Sequence, residues 1–117
     1  MTKANPKSLS AEKLNEWLKG ATQKPILIDV REEQEIAIAP FPEQVIHLPL
    51  SQSQEWGKSL STLIPNNKPI VVLCHAGIRS WQFSTWLIEQ GWKEEIWNLD
   101  GGIDSWSINI DPSVPRY

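Results

Sequence analysis

The chain has 117 residues, 40% hydrophobic and 21% charged, with a formal net charge of −3. That balance excludes disorder as the default state, supplies no general attraction to nucleic acid or anionic membrane, and suits one domain with its own core. A single cysteine rules out an intramolecular disulfide and cannot alone make a structural zinc site. The opening MTKANPKSLSAEKLNEW has no apolar leader and no later segment is long enough to span a bilayer, so the expectation is a soluble, cytoplasmic protein.

Leu9, Leu14, Trp17 and Leu18 bracket a first helix, with Ser10 as N-cap, Leu9 and Leu14 as a hydrophobic staple, and Gly20 just past the end. PILIDV, residues 25–30, is a short apolar run after proline and reads as a buried strand ending on Asp29, with Arg31 two residues on. Three prolines between Ile36 and Pro49 exclude a long helix and leave a loop with a short strand near Val45 to Leu48. Trp56, Leu60, Leu63 and Ile64 recur at helical spacing within residues 53–64, and Pro65 with two asparagines closes that helix. Pro69 opens the strand IVVLC. A helix over residues 80–90 places Phe83, Trp86, Leu87 and Ile88 on one side with Gly91 as C-cap, and the strand EIWNL then runs through Gly101 and Gly102 into a short helix from Ile103 to Ser107. This alternation predicts an α/β domain with a mainly parallel sheet of four or five strands and helices on both faces, whose ligands bind beyond the carboxyl ends of the strands. Asp29 and Cys74 both fall at such ends.

Cys74 ends an apolar strand, and HAGIRS follows it at once. Gly77 allows a tight turn, and the next helix directs unpaired N–H groups and a positive dipole end back toward the sulfur. Together with Arg79 and a protonated His75, that environment favours the thiolate, which is the nucleophilic form of cysteine. The plain alternative is a packed core cysteine.

The loop CHAGIRS, the stretch DVRE at 29–32 and LDGGIDSW at 99–106 resemble the hallmarks of single-domain rhodanese-like sulfurtransferases, from about Leu9 to Trp106. The resemblance implies one rhodanese-like domain over 1–117, with a core of about 9–107 and a tail of 108–117. It implies a thiosulfate sulfurtransferase-type enzyme in which Cys74 takes a sulfane sulfur, becomes a persulfide and passes the outer sulfur to an acceptor. The loop residues His75, Ala76, Gly77, Ile78, Arg79 and Ser80 would bind the substrate, their amides cradling the persulfide, while Asp29 and Arg31 would support the site. The implied partners are a small-molecule sulfur donor and a thiol or cyanide acceptor, or a sulfur-relay protein; no cofactor, metal, nucleic acid or membrane is implied. A non-catalytic binding module on the same scaffold is the alternative.

Related phosphatases of this fold place five residues between cysteine and arginine to hold a tetrahedral phosphate. Here only His75 to Ile78 intervene, which favours a single sulfur atom, and arsenate reduction through an internal disulfide lacks a second cysteine. The segment APFPEQVIHLPL departs from the Gly-His-Ile-Pro-Gly-Ala-like segment of many members, and no role is carried over to His47. Asp29 and Arg31 also read as a plain ion pair, and His75 as an exposed loop residue. Glu32, Glu33 and Glu35 read as a solvated acidic face, and Trp86 and Trp106 as core. Trp81 is placed to wall the pocket mouth or dock a partner, and the tail INIDPSVPRY to wrap the surface.

Overall fold

The computed structural model describes residues 5–20 and 23–117; the N-terminal stretch read for a leader lies partly outside them. The central strands, ILID, IVVL and IWNL, are rich in Ile, Leu and Val, because side chains on both faces of a parallel strand are covered by helices. The strands are β1 (Lys7–Leu9), β2 (Ile26–Asp29), β3 (Ile46–His47), β4 (Ile70–Leu73) and β5 (Ile96–Leu99). They form one sheet in the order β1-β5-β4-β2-β3, with every pairing parallel. In register, Ile28 lies beside Val72 and Asp29 beside Leu73.

Side chains alternate across this sheet with a period of two. Leu27, Val71, Leu73 and Leu99 point to one face, where Leu14 of α1 (Ala11–Lys19) and Ile103 and Trp106 of α6 (Gly102–Asn109) cover them. Ile28, Ile70, Val72 and Ile96 point to the other, under Trp56 of α3 (Ser53–Trp56), Leu60 of α4 (Leu60–Leu63), and Phe83 and Leu87 of α5 (Ile78–Glu89). Each fully buried branched side chain contributes about 1.5–3 kcal/mol, so this two-sided burial is the main stabilising term. Cys74 continues the second face.

The α1 helix starts as its sequence indicates, with the Ser10 hydroxyl accepting the Lys13 N–H at 3.1 Å. Gly20 ends it in an extended conformation, φ −69°, instead of the left-handed one. Three elements depart from the sequence reading. Lys7–Leu9 pairs with Trp97–Leu99 as an edge strand, so Leu9 belongs to the sheet. Glu33–Ile38 forms a short helix, α2, closed by reciprocal bonds between Glu32 and Glu35. The helix expected over 53–64 is broken into α3 and α4 by a 3₁₀ turn at Gly57–Ser59, preceded by another at Leu50–Gln52. The α5 helix begins two residues earlier than Ser80, at Ile78, and Gly91 follows its end with φ +93° as expected.

Strand order fixes where a site can lie. From β2 the chain moves outward to β3, then returns to the opposite side of β2 for β4 and continues to β5. Their outgoing loops diverge and leave a crevice beyond the carboxyl ends of β2 and β4. Asp29 and Cys74 stand on its two sides.

Candidate active site

The β4 strand delivers Cys74 to the crevice, and the Val30 N–H holds its last rung by donating to the Leu73 carbonyl at 3.1 Å. Gly77, at φ +97°, turns the chain directly into α5, a conformation in which a side chain would be strained and would crowd the Gly101 backbone. The turn aims the first amides of α5 at the sulfur. Gly77 N–H donates to Cys74 Sγ at 3.1 Å and Ser80 N–H at 3.4 Å, and Ser80 Oγ lies 3.3 Å away. Cys74 is 1% exposed. The burial a packed core residue would show is therefore present, with polar donors converging on the sulfur as an anion requires.

A second helix end shapes the same loop from behind. At the start of α6, Ile103 N–H donates to the Cys74 carbonyl at 2.9 Å and Asp104 N–H to the His75 carbonyl at 3.1 Å. Both carbonyls are thereby drawn away from the sulfur. This approach requires glycine at 102, which has φ +59° and where a Cβ would overlap both carbonyl oxygens. The double glycine thus has a physical reason that its sequence did not disclose.

Asn98, on β5, sits under the loop. Its Nδ2 donates to the Gly77 carbonyl at 3.2 Å and to Asp100 Oδ1 at 3.3 Å, which turns Oδ1 toward Ser80. The Ser80 hydroxyl donates to that oxygen at 2.5 Å. Sequence reasoning missed Asn98; its signal was an amide inside an otherwise apolar strand.

Across the crevice, Arg31 is fully buried and grips Asp29 through Nε and Nη2, at 3.0 and 2.8 Å. This is the structural pair the sequence allowed, fixing the β2 end. Burial pulls the guanidinium pKa down, but the bonds to Asp29 and Tyr117 outweigh it and leave it above its ordinary value. His47 Nε2 lies 2.7 Å from the Arg31 carbonyl. Arg79 makes two 2.7 Å bonds to the Glu35 carboxylate, so Glu35 is a partner of the cysteine loop and departs from the solvated face expected of it. That bond to Arg79 is the largest of the influences that hold the Glu35 carboxyl at about 2.

The tail closes the arrangement. Tyr117 OH accepts from Arg31 Nη1 at 3.1 Å and donates to Glu35 Oε1 at 3.0 Å, while its ring meets the His75 ring edge-on at 4.2 Å between centroids. Arg116 pairs with Asp104 at 2.8 Å. Of the remaining loop residues, Ala76 is exposed and Ile78 is 69% exposed; Trp81, one turn on, is half-buried. Trp106 is core as expected, whereas Trp86 is 37% exposed, because its face of α5 borders an apolar cleft of about 400 Å³ with Trp56 and Phe83. Among the described residues, no cluster of three or more His, Cys, Asp or Glu could hold a metal ion, and no helix is long and apolar enough to cross a membrane.

Residues 10–109 of the chain match the rhodanese-like domain family. The chain belongs to this family. It is 32% identical over 106 residues to the putative sulfurtransferase YtwF of Bacillus subtilis, covering 91% of this chain and 95% of that one. It is 42% identical over 91 residues to the rhodanese-like/PpiC domain-containing protein 12 of Arabidopsis thaliana, covering 78% of this chain but only 30% of that longer protein. Among solved structures, a rhodanese-related protein from Thermoplasma volcanium superposes with a TM-score of 0.69 at 28% identity, covering 93% of this chain and 95% of that one. The rhodanese-like fold is thus shared by sequence and by shape, and sulfur transfer is the activity this family supports.

Proposed function

We propose that this rhodanese-like chain is a sulfurtransferase that carries a sulfane sulfur on Cys74. The observation that carries the reading is the pair of amide donors, Gly77 and Ser80, directed at one buried sulfur at the carboxyl edge of the sheet. The thiolate attacks the outer sulfur of a donor, thiosulfate being the simplest. A new S–S bond forms at Cys74, the donor's own S–S bond breaks, and sulfite leaves with its electron pair. A thiol or cyanide then attacks the outer sulfur and regenerates the thiolate, so the two half-reactions give ping-pong kinetics. Asp29 and Arg31 hold the β2 end, and the α6 amides hold the loop carbonyls, so the loop stays formed through both steps. His75, Ala76 and Ile78 line the way in.

The test is to weigh the protein after incubation with sulfane donors, using thiosulfate and an organic thiosulfonate. The wild type gains one sulfur atom, released by cyanide, and Cys74→Ala gains none. A wild type that gains no sulfur from either donor overturns the proposal.

A further inference from the structure

Resting on that reading, we infer that the site selects an organic sulfane donor, with an apolar body and no more than one negative charge, over the inorganic thiosulfate dianion. The chain contains three arginines, and each is matched by a carboxylate: Arg31 by Asp29, Arg79 by Glu35 and Arg116 by Asp104. The loops leaving β2, β4 and β5 toward the crevice, residues 30–32, 74–77 and 100–101, contain no lysine. Arg79, the one permanent cation within the cysteine loop, presents both terminal nitrogens to Glu35, and Tyr117 OH bonds the same carboxylate. A doubly charged donor approaching Cys74 therefore meets ion pairs of zero net charge, which repay little of the cost of removing two charges from water.

Apolar side chains flank the cysteine loop. Ile78 is 69% exposed between the loop and Arg79, and Ile38, one turn beyond Glu35 on α2, is 52% exposed. Half-buried Trp81 lies one turn beyond Ile78, and the Tyr117 ring stands against His75. These side chains offer apolar contact area to a hydrocarbon or aryl body, which the thiosulfate dianion lacks. For such a donor the step balances without added oxidant. Cys74 thiolate attacks the outer sulfur of a thiosulfonate monoanion, the S–S bond to the sulfonyl sulfur breaks, and a sulfinate monoanion departs, leaving the persulfide anion.

The experiment compares kcat/KM of the intact protein for thiosulfate, methanethiosulfonate and benzenethiosulfonate with cyanide as acceptor. In the wild type, benzenethiosulfonate is expected to exceed thiosulfate by roughly tenfold or more, with methanethiosulfonate, which has the same single charge without the ring, between them. Glu35→Gln, which uncovers Arg79, should raise the thiosulfate-to-benzenethiosulfonate ratio about tenfold. A wild type that uses thiosulfate as well as or better than benzenethiosulfonate overturns the inference while leaving sulfur transfer intact, and so does a Glu35→Gln ratio equal to that of the wild type. Absence of any persulfide on Cys74 overturns both readings.

Discussion

Glu35 shows how far a single side chain can lie from its sequence neighbourhood in meaning. Its carboxyl is held at about 2 against an ordinary 4.5, chiefly by the bond from Arg79. Because the folded value is the lower one, its contribution to stability is complete above pH 4.5 and is lost as pH falls toward 2. The stability difference between wild type and Glu35→Gln, measured by urea unfolding, should therefore be largest near neutral pH and vanish across that window. Asn98→Ala removes a buried partner from both Ser80 and the Gly77 carbonyl; a loss of about 1–3 kcal/mol in the same assay is expected, with a lower rate of sulfur uptake. Cys74, Gly77 and the loop were legible because a strand, a cysteine, a glycine and a helix follow one another in the chain. Glu35 was not, since its partner stands 44 positions away, and an acidic run on a short helix has the same local pattern whether or not one member turns inward.

Among elements, α6 has the most to do with the loop, and its first residue is the sharpest test. Gly102→Ala combines an unfavourable φ of +59° with overlap on the Cys74 and His75 carbonyls, and should destabilise the fold by more than about 1–3 kcal/mol. Gly57→Ala, where an added Cβ meets nothing within 4 Å, serves as the control and should leave the unfolding midpoint nearly unchanged. Apolar spacing and end signals found α1, α5 and the three central strands, and the double glycine after the last strand pointed to α6, read over Ile103 to Ser107 and observed over Gly102–Asn109. Periodicity missed β1, because three residues with two exposed side chains carry no pattern, and it merged α3 with α4 because Trp56 and Leu60 keep helical spacing across the 3₁₀ turn at Gly57–Ser59. The short α2 was hidden for a related reason: none of its residues is buried, so it has no apolar stripe to read.

At the scale of the molecule, the crevice is closed by two attachments far apart in sequence, the Asp29–Arg31 pair and the tail that bonds to it. Arg31→Ala leaves Asp29 buried without its counter-charge and should cost about 3–5 kcal/mol, by equilibrium unfolding. Tyr117→Phe keeps the ring on His75 but removes the hydroxyl shared by Arg31 and Glu35; a loss nearer 1 kcal/mol is expected. The fold class was legible from the strand and helix alternation alone. The tail's place was not, because Tyr117 meets Arg31 across 86 positions and nothing in INIDPSVPRY points there.

The Ser80 hydroxyl owns one hydrogen, and two neighbours compete for it. Asn98 Oδ1 takes it at 2.5 Å, while the hydroxyl oxygen also lies 3.3 Å from Sγ; a persulfide anion on Cys74 would draw the O–H toward the sulfur instead. Asn98 then loses its closest donor while its own nitrogen remains anchored. The amide resonances of that side chain should consequently shift when Cys74 is loaded with a sulfane sulfur and stay fixed in Cys74→Ala, giving a spectroscopic readout of sulfur chemistry from the adjacent strand.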